Sequence, residues 1–156
     1  MPLIRLVRRS PLPAAEAWRR LTNWPRHGTH APLTRVTVTP PGPTGTGTLV
    51  VARTGVGRLA FDDPMEVTAW QPPTAAGRGF CRLDKRGAFV LGWAEIEVHA
   101  EDGGSHVGWR EDVRVNRLPR ALDAPTGWAG RLLFAHLLDA LLRHPVPPRP
   151  PRRTPT

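Results

Sequence analysis

The sequence predicts an α+β fold in which an antiparallel sheet of about six or seven strands receives one long C-terminal helix. Between residues 34 and 115, short runs of alternating apolar and polar residues follow one another, separated by glycine, proline or charged turns. That pattern suits a meandering antiparallel sheet with one buried face. After RLPRALDAP the alternation gives way to TGWAGRLLFAHLLDALLRH (126–144), whose apolar residues recur at helical spacing over about five turns. Short helices are expected after the first strand.

Leu3 to Arg9 (LIRLVRR) alternates apolar and basic residues, as a first strand with one buried face does. In SPLPAAEAWRRLTNWP, Pro13 stands just inside a helix start and Glu16 lies in the first turn. Ala14, Ala17, Trp18 and Leu21 form the apolar face, and Pro25 is expected to stop the helix. Thr34 to Thr39 (TRVTVT) and Leu49 to Thr54 (LVVART) read as a hairpin across the turn-rich PPGPTGTG. Further strands are expected at Arg58 to Trp70, Gly79 to Leu83, Ala88 to His99 and His106 to Val115. On the long helix Gly130, Leu133, Phe134, Leu137, Ala140 and Leu141 share one face. Arg131, His136, Asp139 and Arg143 lie opposite, with Asp139 and Arg143 spaced to pair at i,i+4. Six prolines among the last twelve residues leave nothing to bury, so 145–156 is expected to be a disordered Pro/Arg-rich tail behind a single domain of residues 1–144.

At 156 residues the chain can bury a core without a disulfide or metal. Its formal charge is +9, but four arginines fall in the last fourteen residues, which contain no acid. A single lysine, Lys85, against many arginines, with heavy Ala/Gly/Pro usage, points to a GC-rich coding sequence of actinobacterial type. Arginine content therefore argues little for nucleic-acid binding, and no nucleic-acid partner is expected. One cysteine, Cys81, excludes an intramolecular disulfide and a cysteine-based zinc site, and a cytoplasmic location is expected. MPLIRLVRRS is too short an apolar run for a signal peptide, and no stretch approaches the ~20 apolar residues of a membrane span. Neither serine lies in a nucleophile elbow, and Gly55 and Gly57 lack the Lys-Ser/Thr ending of a phosphate loop. No cofactor is expected.

The segments LPAAEAWRRLTNWPRH, GTGTLVVARTG, VTAWQPP and GGSHVGWREDV, closed by the long helix, together resemble the helix-grip fold of the START, polyketide cyclase and Bet v 1-like superfamily (SRPBCC). The resemblance covers residues 3 to 144. It implies a curved sheet wrapped around the C-terminal helix, with a cavity between them for a small hydrophobic molecule, a lipid or polyketide-like.

In FDDPMEVTAWQPP (61–73), Phe61, Met65, Val67 and Ala69 form one face of a strand and Glu66, Thr68 and Trp70 the other. The first face is either filled core or cavity wall. In VGWREDVRV, Glu111 shares its side with Val107, Trp109, Val113 and Val115 and is expected to point inward. Such a carboxyl has a raised pKa and suits a ligand hydroxyl or acid/base work; alternatively it pairs with an arginine or sits at a rim. Val90, Gly92, Ala94, Ile96 and Val98 are placed inward on their strand, with Glu95 and Glu97 facing water.

His27 and His30 in RHGTH are two ligands where a metal site needs three or four, and read as surface loop; no metal is expected. The expected ligand contacts are Phe61, Met65, Val67, Trp109, Glu111, Leu133, Phe134, Leu137 and Leu141, and Glu111 is the catalytic candidate. Catalysis would need a second inward polar group, for which Arg53 and Arg82 are conditional candidates. The first expectation is a non-catalytic binder, the second a cyclase or dehydratase-like enzyme, and the third an interaction module built on the tail. An outward Trp70 or Trp93 would mark a homodimer surface or pack beneath a loop.

Overall fold

The computed structural model describes residues 3–74, 77–116 and 119–143. Seven strands form one open, curved antiparallel sheet. They are β1 (Leu3–Ser10), β2 (Thr34–Thr39), β3 (Leu49–Thr54), β4 (Phe61–Gln71), β5 (Arg78–Lys85), β6 (Val90–Glu101) and β7 (Gly104–Val115). Helices α1 (Ala14–Leu21) and α2 (Trp24–His30) follow the first strand, and α3 (Asp123–Leu142) closes the chain. The sheet order is β1-β7-β6-β5-β4-β3-β2. The first strand thus joins the last, from Leu3 opposite Asp112 to Ser10 opposite Ser105, and β2 forms the far edge. This is an α+β helix-grip architecture, as the sequence predicts. The proline-rich stretch 145–156 lies outside the described residues.

Short helices follow the first strand, as expected, but the role of Pro25 differs. Pro25 lies in the first turn of α2, and α1 ends earlier, at Leu21; a residue without an N–H fits a first turn, where the N–H has no intrahelical acceptor. α1 buries Ala14, Ala17, Trp18 and Leu21, and its Glu16 accepts from Arg19 at 2.8 Å and Arg20 at 2.7 Å.

Strict alternation fails on β4. The β4–β5 register shifts between Val67 and Ala69, so Trp70 stands opposite the buried Cys81 while Ala69 stands opposite Arg82. An irregularity of this kind moves the following side chains to the other face. Trp70 consequently packs against Trp18, with ring centroids 5.0 Å apart. It is an inner residue, contrary to expectation, and no outward tryptophan of a dimer surface. Trp93 does face outward, beneath the Arg82 guanidinium at 4.7 Å. It belongs to an outer lattice in which Arg82 and Arg110 bind Glu95 at 2.6 and 2.9 Å.

The core is formed by the inner residues of β1 and β3 to β7, α1 and the second half of α3. Val90, Ala94, Ile96 and Val98 are buried as expected. On α3, Leu137, Leu138, Ala140, Leu141 and Leu142 are buried, whereas Leu133 is 38% exposed. A single sheet-facing stripe does not account for Leu138 and Leu142; α1 and α2 also pack on α3 and cover more of its circumference. Asp139 is bound by Arg8 of β1 at 2.6 Å, and not by Arg143 as the i,i+4 spacing suggests. Among the described residues no helix is long and apolar enough to cross a membrane.

Candidate functional site

A cavity of about 420 Å³ lies between the concave face of the sheet, α2 and the first half of α3. Of the residues expected from sequence, Phe61, Met65, Trp109, Glu111, Leu133, Phe134 and Leu137 line it. Val67 and Leu141 are fully buried in the core and do not line it. Most of the remaining wall is aliphatic, from Val50, Leu83, Ile96 and Val113.

Three charged side chains meet in this wall. The strand period that points Phe61 and Met65 inward also points Asp63 inward, and the period of Cys81 and Leu83 does the same for Lys85. Lys85 Nζ lies 2.6 Å from Asp63 Oδ2 and 3.2 Å from Glu111 Oε1, with the Met65 sulfur at 3.6 Å. Trp109 Nε1 donates to the other Glu111 oxygen, Oε2, at 3.1 Å. Lys85 and Glu111 belong to β5 and β7, with β6 between them. They meet because β6 carries small residues there: Ala94 stands opposite both Leu83 and Glu111, and Gly92 is the next inward position. Gly92 has φ +125, and a Cβ on it would overlap the Asp112 carbonyl. The backbone therefore closes in where a side chain would keep the strands apart.

The side chains of Lys85 and Glu111 are each only 3% exposed. Burial pushes the Glu111 carboxyl above its ordinary value, partly offset by Lys85 and Trp109. Asp63 is raised by burial in the same way, against the pull of Lys85. Burial opposes the Lys85 ammonium, but its two carboxyl neighbours outweigh that effect and hold it protonated. The arginine partner that sequence allowed for Glu111 is in fact this lysine. Arg53 and Arg82 face away from the cavity, paired with Asp62 and with Asp84 and Glu95 respectively.

His27 also lines the cavity, from α2, and is not a surface-loop residue. Its ring packs 5.4 Å from Trp24 and 5.8 Å from Trp109, whose own ring is 5.8 Å from Phe134. His27 Nε2 lies 2.7 Å from the Leu21 carbonyl, which can only accept, so the proton sits on Nε2. Desolvation lowers its pKa to about 4. Among the described residues no group of three His, Cys, Asp or Glu side chains is placed to hold a metal ion. Cys81 is buried and its thiol is pushed up to about 12 by desolvation, which makes it inert.

The model of the family described as polyketide cyclase / dehydrase and lipid transport matches residues 1–144. The chain belongs to this family. It is accordingly a member of the SRPBCC superfamily, and solved structures of the same architecture agree. The Thermus thermophilus protein TTHA0849 aligns with a TM-score of 0.65 at 14% identity, over 90% of this chain and 97% of that one. The Zhui aromatase/cyclase of Streptomyces sp. R1128 aligns with a TM-score of 0.61 at 14% identity, over 90% of each chain. A norcoclaurine synthase point mutant from Thalictrum, solved with a transition-state analogue, aligns with a TM-score of 0.59 at 13% identity, over 90% of this chain and 91% of that one. At these identities the likeness is one of fold. No curated protein matches the chain. The family model extends over β1 to α3 and thus includes every element that lines the cavity.

Asp63, Lys85 and His27 are the ionisable lining residues that sequence reasoning missed. For Asp63 a signal existed: it shares the two-residue period of Phe61 and Met65, already placed inward. Lys85 lies two residues beyond the expected end of its strand at Leu83, and β5 in fact runs on to include it. For His27 no signal existed, because its position depends on how α2 packs against Trp109.

Proposed function

We propose that the protein binds a small, largely apolar molecule in the cavity between the sheet and α3, as a carrier or receptor and not as a catalyst. The observation that carries this reading is the cavity itself, about 420 Å³ within an otherwise packed domain and walled mainly by aliphatic and aromatic side chains. Natural small-molecule sites have this size and composition. The family description, which joins polyketide cyclisation and dehydration with lipid transport, supports a hydrophobic ligand under either mode.

A direct test is titration with N-phenyl-1-naphthylamine, a neutral apolar dye. The parent protein should enhance its fluorescence saturably, and Ala129→Trp, which adds an indole at a cavity-lining position of α3, should abolish most of the enhancement without lowering stability. Dye binding unaffected by Ala129→Trp would place the ligand elsewhere.

A second reading, a cyclase or dehydratase-like enzyme, is favoured by one observation: Asp63, Lys85 and Glu111 stand together in the apolar wall. An ammonium beside carboxyls of raised pKa can hold a substrate oxygen and move a proton. Glu111→Gln separates the two readings. A binder should change its affinity for polar-headed ligands, whereas an enzyme should lose turnover with binding largely kept.

A further inference from the structure

The polar groups of the cavity are unequally matched. Lys85 is the one cation among the described lining residues, although the chain carries 22 lysines and arginines, and two carboxyl groups already share it. The other donors are also engaged. Trp109 gives its indole N–H to Glu111, and Trp24 gives its own to Thr44 Oγ1 at 3.0 Å. Thr34 donates to the Pro32 carbonyl at 3.0 Å, which leaves Thr54 to donate to Thr34 at 2.9 Å.

The acceptors have capacity left over. Asp63 Oδ1 is buried and receives no donor from the described residues, while Oδ2 takes Lys85. His27, its Nε2 proton committed to Leu21, keeps a lone pair on Nδ1. The Thr126 hydroxyl can serve either way and does not alter the balance.

We propose that the cavity selects neutral or cationic molecules that bring a hydrogen-bond donor, a hydroxyl or an amine on an aromatic or aliphatic frame, to Asp63, and that it rejects carboxylate-headed molecules such as fatty acids. The proposal rests on reading the cavity as a ligand site and adds the chemistry of the ligand's polar end. A buried acceptor without a partner is unfavourable, and a ligand hydroxyl or amine relieves it. An incoming carboxylate would be a third acid competing for one ammonium, stripped of water among aliphatic side chains.

Calorimetric titration with probes on one naphthalene frame tests this. 2-Naphthol has a donor, 2-methoxynaphthalene keeps the oxygen without it, 2-naphthylmethylammonium is a cationic donor and 2-naphthoate is the anion. Both donor probes should bind about tenfold more tightly than 2-methoxynaphthalene, the worth of one good hydrogen bond, with 2-naphthoate weakest. Asp63→Asn, which keeps the shape and leaves Lys85 paired with Glu111, should shrink the naphthol preference and strengthen 2-naphthoate. Glu111→Gln, which leaves Lys85 paired with Asp63, should strengthen 2-naphthoate while keeping the naphthol preference. Equal binding of 2-naphthol and 2-methoxynaphthalene, or 2-naphthoate binding as tightly as 2-naphthol, would overturn the proposal and leave the cavity reading standing. Failure of every probe, together with failure of N-phenyl-1-naphthylamine, would overturn both.

Discussion

Lys85 offsets two buried carboxyls at once, so its replacement should be more harmful than the loss of either acid. Lys85→Met leaves Asp63 and Glu111 facing each other without a cation, and should destabilise the fold by about 3–5 kcal/mol near neutral pH. The loss should shrink in acid, as the carboxyls take up protons. Urea denaturation at pH 7 and pH 5 measures both effects. Glu111→Gln, by contrast, leaves one lysine with one carboxylate, and its melting temperature should equal or exceed that of the parent. His27 supplies a pH dependence of definite sign. Its folded pKa is about 4 against an ordinary 6.5, so between those values the unfolded chain binds a proton that the folded chain does not. Stability is then fully present above about pH 6.5 and falls as pH drops towards 4, by about 2–3 kcal/mol. His27→Gln should flatten that segment of the stability–pH curve.

At the scale of elements, α3 does two jobs in sequence. Its second half is core: Leu141 is fully buried, and Leu141→Ala should destabilise by about 2–5 kcal/mol in urea denaturation. Its first half forms cavity wall, where Leu133 is partly exposed. Leu133→Ala should cost less than about 1 kcal/mol of stability while weakening N-phenyl-1-naphthylamine binding. The apolar period of the helix was legible in sequence, but this division was not, because the residues at either end follow the same repeat. Strand β6 shows a comparable limit. Its inward residues were assigned from sequence, but not that the small ones among them let Lys85 reach Glu111. Gly92→Ala should therefore be strongly destabilising, since it strains a φ of +125 and drives a methyl group into the Asp112 backbone.

For the whole molecule, ligand occupancy and stability are linked. A ligand that enters the folded cavity and not the unfolded chain, present at a hundred times its dissociation constant, adds about 2.7 kcal/mol. In a chain of this size that corresponds to a rise in melting temperature of about 5–10 °C, increasing with ligand concentration. Differential scanning fluorimetry with 2-naphthol should show such a rise for the parent and little for Ala129→Trp. The sheet is continuous from β1 to β2 and its inner face carries both core and cavity wall, so the stabilisation should appear in one cooperative transition.

The sequence by itself determined the order of strands and helices, the long C-terminal helix and the inward face of most strands, Glu111 included. These follow from local rules: a strand alternates its side chains because of backbone geometry, and a helix repeats its own every 3.6 residues. Tertiary structure alone decided that Trp70 turns inward beyond the register shift on β4, and that α2 sets His27 against Trp109. It alone brought Asp63, Lys85 and Glu111 together from three strands. Local periodicity says which way a residue points, but which inward residues meet depends on strand register and on the size of what stands between them. Both are set by pairings between segments far apart in the chain.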